Sequence, residues 1–379
     1  MKKILFVTND FGPRAGGIES FIMGLVERLP RDSVTVFTSS QGDTSLYDLK
    51  WLEDYGVAVI RDRSTMMLPT PRVARSLKKL ASEGEFAAAC FGAAAPLGLL
   101  APILRKAGIK RIISLTHGHE VWWAKVFPFS LALRRIGNGV DVVTYLGDFT
   151  RGSISLGLSP KARHAMVRIA PGIDISHFAP DSAPSLLRKE LGLSEKSVIV
   201  CVGRLVPRKG QDRLIEALPI IRKNIPDVHL LLVGEGGYRN ALEKLARQKE
   251  VAEIVTFVGR VPYTQLPDYF RCGDIFAMPS RSRMAGLEIE GLGIVYLEAS
   301  GCGLPVIAGN SGGAPDAVVD GVTGIVVDGG NVNEIAAAIV RVLVDPKKMR
   351  AMGAAGNDWV TTGWSWQVWS EKFAQLLGV

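Results

Sequence analysis

The chain has 379 residues, 47% hydrophobic and 22% charged, with a formal net charge of +8. That is apolar material for more than one core, so a disordered chain, a short peptide and a single small module are excluded. Cys90, Cys201, Cys272 and Cys302 form no C-x-x-C or Cys/His cluster, which argues against a zinc site or a disulfide scaffold and fits a reducing cytoplasm.

In chain order, MKKILFVTND places two lysines before a short apolar run closed by Asn9 and Asp10, with no small-residue cleavage site behind it. It reads as a first strand, not a signal peptide. The helical pattern GGIESFIMGLVERL follows, then apolar runs at SVTVFT, Phe86–Phe91, 111–115 and 140–145. Such alternation predicts parallel strands joined by crossover helices. Residues 87–104 carry no charge over a length that just spans a bilayer. They are Ala-rich and interrupted by Gly92, Pro96, Gly98 and Pro102, so we read a buried strand, a turn and a packed helix.

Periodicity lapses in PGIDISHFAPDSAP, residues 171–184, a candidate hinge. SVIVCVG then restarts the alternation, continued by VHLLLVG, IVTFVG, DIFAMP, LPVIAG and GIVVDGG. The closing WSWQVWSEKFAQLL is an amphipathic helix suited to a domain junction. The predicted class is α/β, with two doubly wound parallel-sheet domains: 1–178, to which 362–379 returns, and 179–361. Ligands of such sheets bind at the strands' carboxyl ends, so a common cleft is expected. Residues 1–180 hold 23 Lys and Arg against 15 Asp and Glu, and 181–379 hold 22 of each. The first half therefore carries the whole excess and suits an anionic partner, although scattered solubilising charge explains the count equally well.

The strongest constellation is GLEIEGLGIVYLEASGCGLPVIAG, in which Glu290 precedes Gly-Leu-Gly and Glu298 follows eight residues later. A helix over 291–299 would set the two carboxylates about 12 Å apart along its axis, rotated by about 80°. The free N–H groups of Gly291, Leu292 and Gly293 at its positive end would form a phosphate or pyrophosphate site. Glu298 would then accept bonds from a hydroxyl-rich ring on one side and Glu290 from a ring on the other. An arbitrary E-x7-E is usually a solvated pair; the Gly-rich, strand-preceded context favours the site.

Arg204 and Lys209, in VGRLVPRKGQD after SVIVCV, lie where a cleft-facing loop is expected and could neutralise a diphosphate leaving group. Arg208 between them is free to point to solvent. Gly16 and Gly17 open a helix after NDFGPRA, where a backbone without Cβ atoms can approach a sugar or phosphate. A turn is the commoner use of a glycine pair. No G-x-G-x-x-G and no ribose-binding acid follow, which leaves a nicotinamide oxidoreductase weakly supported. THGHEVWW puts His117 and His119 at a strand's carboxyl edge, where an imidazole could bond a hydroxyl. With Glu120 they offer three possible metal ligands, but there is neither a second cluster nor a D-x-D, so the metal reading is poor.

At these residues the sequence resembles the retaining glycosyltransferases of family 4, whose GT-B fold has two Rossmann-like domains facing a central cleft. The resemblance runs from TNDFGPRAGGIES to the Trp-rich terminal helix and is carried by GRLVPRKG followed by E-x7-E. FGAAAPLGLLA, MLPTP, THGHEVWW, DIFAMPSRSR and EGLGIVYLEASGCGLPVIAGNSGGAP look like the actinobacterial branch that adds mannose to phosphatidyl-myo-inositol monomannoside. The resemblance implies GDP-mannose as donor, no essential metal and retention of configuration. It assigns Glu290 to the donor mannose, Glu298 to the ribose, Arg204 and Lys209 to the diphosphate, Gly17 to the border of the donor phosphate and His117 to mannose hydroxyls. Retention ordinarily calls for a carboxylate nucleophile. None is evident, so the resemblance implies a front-face mechanism in which the leaving phosphate takes the acceptor's proton. SRSRMAGLEIEGLG is longer than the usual family pattern and leaves Arg281 and Arg283, like His119, without an assigned role.

For the acceptor side, RVARSLKKLASEG as a helix groups Arg72, Arg75 and Lys79 on one face and Val73, Leu77 and Leu80 on another. It could lie on an anionic bilayer, or be an ordinary surface helix. With the basic first half and the aromatics of LTHGHEVWWAKVFPF, we read a peripheral protein on the cytoplasmic face of the cell membrane. Trp122 and Trp123 could instead belong to the core, and Phe127 and Phe129 to a packing loop. Arg61 and Arg63 are candidate partners of the inositol phosphate. Two alternatives stay open: another lipid acceptor such as glucuronosyl diacylglycerol, and a nonenzymatic anionic-polymer binder. The second leaves the Glu-Gly-Leu-Gly site unexplained, and no nucleic-acid motif is present.

Overall fold

A computed structural model of the chain describes residues 2–14, 16–181 and 186–379, with residue 285 described by its backbone alone. Ala15 of the glycine-bearing loop and 182–184 of the expected hinge lie outside the described residues. The chain divides into two compact units, Met1–Gly172 with Trp366–Val379, and Ile173–Ser365.

The first unit is built on β1 (Lys3–Thr8), β2 (Val34–Ser39), β3 (Ala58–Asp62), β4 (Phe86–Phe91), β5 (Arg111–Ser114), β6 (Val142–Tyr145) and β7 (Val167–Arg168). They pair in parallel in the order β3-β2-β1-β4-β5-β6-β7. After Lys3, every residue of β1 is buried, as expected of a central strand covered on both faces. The apolar runs did not reveal β3 or β7. β3 is an edge strand with Ile60 40% exposed, and β7 is two residues long. The uncharged 87–104 stretch resolves into β4, a tight turn at Leu97–Leu100 and a helix at Ala101–Lys106. No helix among the described residues is long and apolar enough to cross a membrane.

The Trp366–Leu377 helix joins this first unit. Its buried Phe373 packs 5.9 Å from the Phe6 ring, and the Leu376 carbonyl accepts from Arg111 Nε at 2.8 Å. The apolar face seen in the sequence is thus buried on the sheet that the chain built first.

The second unit contains β8 (Ser197–Val202), β9 (Val228–Val233), β10 (Val255–Gly259), β11 (Ile275–Met278), β12 (Val306–Gly309) and β13 (Gly324–Val327). All are parallel, in the order β10-β9-β8-β11-β12-β13. The boundary falls earlier than the expected 178/179. Ile173 donates its N–H to Trp364 O at 2.7 Å and bridges Ser365, and Phe178 is buried among Tyr263 and Phe270. Residues 173–178 and 362–365 therefore belong to the second unit, not the first.

In both sheets the first strand is flanked by neighbours whose connections leave in opposite directions: β2 and β4 around β1, β9 and β11 around β8. The diverging crossovers leave a crevice at the carboxyl ends of those pairs, the usual ligand site of a doubly wound sheet.

Candidate active site

In the second unit, β8 ends into Gly203 and Arg204, and a tight turn at Pro207–Lys209 starts the next helix. Across the switch point, β11 leads through Ser280 into the segment carrying Glu290. Glu290 is buried, and its Oε2 lies 2.7 Å from Lys209 Nζ and 2.6 Å from Arg208 Nη1. Burial alone would raise its pKa, but Lys209 and Arg208 outweigh it and hold the carboxyl below its ordinary value. Glu290 is therefore ionised. Arg208, free on the sequence to point to solvent, instead turns to the same carboxylate oxygen as Lys209.

The helix begins at Ile294, not at Gly291, and runs to Gly301. Gly293 is its cap at φ +77°, and a Cβ there would meet the Tyr296 ring at 2.4 Å, so the left-handed turn and the ring together require glycine. Glu290 consequently stands off the helix, and the predicted 12 Å axial relation does not hold. The N–H groups of Gly291, Leu292 and Gly293 have no acceptor among the described residues. They precede the helix's first turn instead of forming it, so what they offer an anion is three unbonded backbone donors, without the helix end expected from the sequence. The arrangement is braced from below by the buried Tyr296 hydroxyl, 2.8 Å from both Met278 O and Ser280 Oγ.

Glu298 sits within that helix, 6% exposed, and its carboxyl has no hydrogen-bond partner among the described residues. Burial pushes its pKa up to about 8, and Lys209 only partly opposes this. A buried carboxyl without donors is expensive to ionise; hydroxyls of an incoming ring would supply the missing donors. Arg204 is exposed, and its side chain has no partner among the described residues, so its guanidinium is free for an anion.

The two arginines of the long insert have structural work. Arg281 grips Asp212 through both terminal nitrogens at 2.8 and 2.7 Å and donates its backbone N–H to Arg208 O at 2.9 Å, tying the cationic turn in place. Arg283 closes the insert on Glu288 through side chain and backbone.

In the first unit, Gly17 is the first residue of its helix, and a Cβ on it would meet nothing within 4 Å, whereas one on Gly16 would strike Glu19. The space over Gly17 is thus open. His117 presses its ring edge on Phe21 and places Nε2 against the Gly92 carbonyl. That carbonyl can only accept, so Nε2 carries the proton and Nδ1 offers a lone pair. Burial depresses the His117 pKa, with Glu120 and Gly92 opposing, and the imidazole is neutral. Glu120 is fully buried: Oε2 accepts the His117 N–H at 3.0 Å, and Oε1 lies 3.2 Å from His119 Nε2 without forming a hydrogen bond. Among the described residues no group of three or more His, Cys, Asp or Glu is placed to hold a metal ion.

Sequence reasoning missed a cavity of about 220 Å³ at this unit's switch point, lined by Asn9, Asp10, Arg14, Met66, Pro96 and His119 among others. Burial, then Glu19, raises the Asp10 pKa, with Arg14 opposing. The signal was its position just past β1, beside His119 past β5.

Of the residues expected to meet the acceptor, Arg61 and Arg72 are spoken for. Arg61 binds Asp48 with Nε and Nη2 and the carbonyls of Ser39 and Gly12 with its terminal nitrogens, at 2.7 to 3.1 Å. It is a structural strut, not a free phosphate ligand. Arg72 pairs with Asp62 at 2.8 and 2.7 Å and holds that carboxyl well below the usual range. Arg63 is exposed without a partner among the described residues, and Arg75 and Lys79 face solvent. The helix Pro71–Glu83 forms as expected, but it buries Val73, Leu77 and Ala81, with Leu80 only half covered.

Residues 185–359 match the family described as glycosyl transferases group 1. The chain is 46% identical over 376 residues to a GDP-mannose-dependent alpha-(1-6)-phosphatidylinositol monomannoside mannosyltransferase of Mycolicibacterium smegmatis, covering 99% of this chain and 98% of that one. It is 42% identical to the monoacylated-acceptor counterpart of Corynebacterium glutamicum, with 99% and 98% covered. Among solved structures, Anabaena Alr3699/HepE in complex with UDP superposes with a TM-score of 0.82 at 22% identity over 99% of each chain, which supports the GT-B fold. On the strength of the full-length matches, the chain belongs to the group 1 glycosyltransferases, in the family of these mannosyltransferases.

Proposed function

We propose that the protein transfers mannose from GDP-mannose to phosphatidylinositol monomannoside with retention of configuration. The observation that carries the reading is the buried Glu290 held by Lys209 and Arg208 beside the free N–H groups of Gly291, Leu292 and Gly293. The activities of the relatives supply the donor and acceptor.

The diphosphate would lie against Arg204, Lys209 and those N–H groups. The diphosphate would draw on the donors of Lys209 and Arg208 in competition with Glu290, which they bond in the free protein. Glu298 would accept ribose hydroxyls and Glu290 mannose hydroxyls; within the first unit, His117 Nδ1 would be free to accept a sugar hydroxyl. In the transfer the acceptor hydroxyl oxygen forms a bond to the anomeric carbon while the bond from that carbon to the β-phosphate oxygen breaks. The hydroxyl proton passes to the departing phosphate, and GDP leaves. Charge grows on the diphosphate as the bond breaks, so cations and N–H dipoles fixed at that place stabilise the transition state more than the ground state. Glu290 then orients the hexose without attacking it, and the reading includes no essential metal. The acceptor is a lipid, and we place the enzyme peripherally on the cytoplasmic face of the membrane.

The test is to incubate the purified chain with GDP-mannose, UDP-glucose and other sugar nucleotides against phosphatidylinositol monomannoside and glucuronosyl diacylglycerol. Product mass and linkage are then determined. An α-linked mannosyl product on the inositol lipid is expected; a product only from another donor or acceptor overturns the assignment.

A further inference from the structure

Two stretches of the first unit contain no acid. Between Glu120 and Asp141 the only charges are Lys125, Arg134 and Arg135; between Asp148 and Asp174 they are Arg151, Lys161, Arg163 and Arg168. These stretches fold together. The helix Glu120–Lys125 packs on both Phe129–Gly139 and Asp148–Ser155, and Phe129–Gly139 packs on Pro160–His164. Asp141, at the margin, is paired with Arg105 at 2.6 Å. Lys125, Arg134 and Arg135 have no partner among the described residues.

The same face carries large apolar side chains in solvent: Phe127 is 76% exposed, Leu156 65% and Leu131 58%. Beneath them, Trp122 and Trp123 hold the Phe129 ring at centroid distances of 4.7 and 5.0 Å, and Trp123 rests on a core of Ala94, Ala95 and Ile136. The apolar group is thus seated on a fixed base. On Phe129–Gly139 the buried side is Leu133, Ile136 and Gly137, so Leu131, Arg134 and Arg135 share the outward side. Beside them a hollow of about 360 Å³ is lined by Leu131, Arg134, Leu156, Pro160 and Arg163 among others.

We propose that this face, centred on Phe127, Leu131, Arg134 and Arg135, seats the protein on an anionic phospholipid bilayer. Phe127 and Leu131 enter the interface, and the surrounding cations meet lipid phosphates. Charge complementarity selects the occupant: on these two stretches cations accompany the exposed apolar groups, with acids only at the margins in Asp141 and the exposed Asp148, which matches a surface that is anionic outside and apolar beneath. The helix Pro71–Glu83 is a poorer seat. It presents Arg75, Lys78 and Lys79 to solvent, but its Val73, Leu77 and Ala81 are consumed by the protein's own core. The proposal extends the lipid-acceptor reading above and rests on it for its biological sense, but its test reads binding alone.

The full-length protein is floated with vesicles of phosphatidylcholine, with or without phosphatidylinositol. Three variants are compared: Phe127→Ser with Leu131→Ser, Arg134→Gln with Arg135→Gln, and Arg75→Gln with Lys78→Gln and Lys79→Gln. Wild type should float with the anionic vesicles only. Neutralising Arg134 and Arg135 should weaken partitioning by about fivefold for each cation, and the Phe127 and Leu131 pair should abolish the part that survives high salt. The third variant should lose less than either. Thermal melts and GDP titrations at wild-type values show that the variants remain folded. They also separate failure here from failure of the transferase reading. Equal flotation of wild type and the first two variants overturns the proposal, as does loss confined to the third. A changed oligomeric mass with unchanged vesicle binding overturns it in favour of a contact between copies.

Discussion

Replacing Glu298 with Gln should make the protein more stable and a poorer nucleotide binder, with an effect set by pH. The buried carboxyl titrates near 8 in the folded chain against an ordinary 4.5. Its folded form therefore holds the proton more tightly than the unfolded one. Stability is full below the unfolded value, falls as pH climbs, and levels off above about 8. Integrated over that window, the loss is about 3 kcal/mol at pH 7 and about 5 kcal/mol at most. The amide of Glu298→Gln resembles the protonated carboxyl in its unmet hydrogen-bonding needs, so the two proteins should unfold alike at pH 5 and diverge towards pH 8. For a unit of this size about 3 kcal/mol corresponds to roughly 6–12 °C in melting temperature. Ribose hydroxyls donate to the charged form, so GDP uptake at pH 7 should expel a proton, and affinity should rise with pH until about 8. Calorimetry in two buffers of different ionisation enthalpy reads that proton directly. Melting curves that stay parallel from pH 5 to 9, or GDP binding with no proton released, would refute the reasoning.

Arg204→Ala should weaken GDP binding without moving the melting temperature, because the side chain is exposed and unpartnered; a shifted melt would count against a purely ligand-facing role. Lys209→Ala should weaken GDP and also destabilise, by about 1–3 kcal/mol, since Glu290 loses a bonded cation; urea unfolding checks it. Glu290→Gln should depress transfer strongly while GDP binds at least as well as before, because two cations are released from a carboxylate. Weaker GDP binding would contradict this. Gly17→Ala should leave stability unchanged or raised, as a Cβ there meets nothing and alanine favours the helix; transfer should fall, and full activity would show that substrate does not use the open space. Burial holds the His117 pKa below its ordinary value, so any acid loss of activity through this ring should come at lower pH than for a free imidazole, which a pH–rate profile measures; a loss beginning at or above the free imidazole's range would contradict it.

The strands that line both switch points were legible because they are central and apolar on both faces, as in LFVT and SVIVCV. β3 was not, since an edge strand with Ile60 in solvent carries no continuous run. The Glu290 and Lys209 site was legible as a set of residue types but not as geometry. The start of the helix is delayed by the left-handed turn at Gly293, and a sequence prints no φ angle. Arg208 was misread for a related reason: its direction follows from the tight turn at Pro207–Lys209. Arg61 and Arg72 looked like free cations because Asp48 and Asp62 lie 13 and 10 residues away, and pairing at such spacings is set by packing, with no period to betray it. Arg281 gained its meaning only through Asp212, 69 residues upstream.

The two glutamates share one burial and opposite electrostatics, and the difference orders their roles. Glu290 is charged in advance because Arg208 and Lys209 already bond it; Glu298 has no donor and waits largely protonated at neutral pH. An arriving diphosphate should compete for Lys209 and Arg208 and so loosen their hold on Glu290 as a hexose comes within reach. The same ligand should bring ribose donors that allow Glu298 to ionise. Each carboxylate would thus be held by the protein in the state it can keep without ligand and moved by the ligand into the state that grips it. A free monosaccharide lacks both the phosphate that releases Glu290 and the ribose that charges Glu298, so this lobe should discriminate against it without any steric barrier.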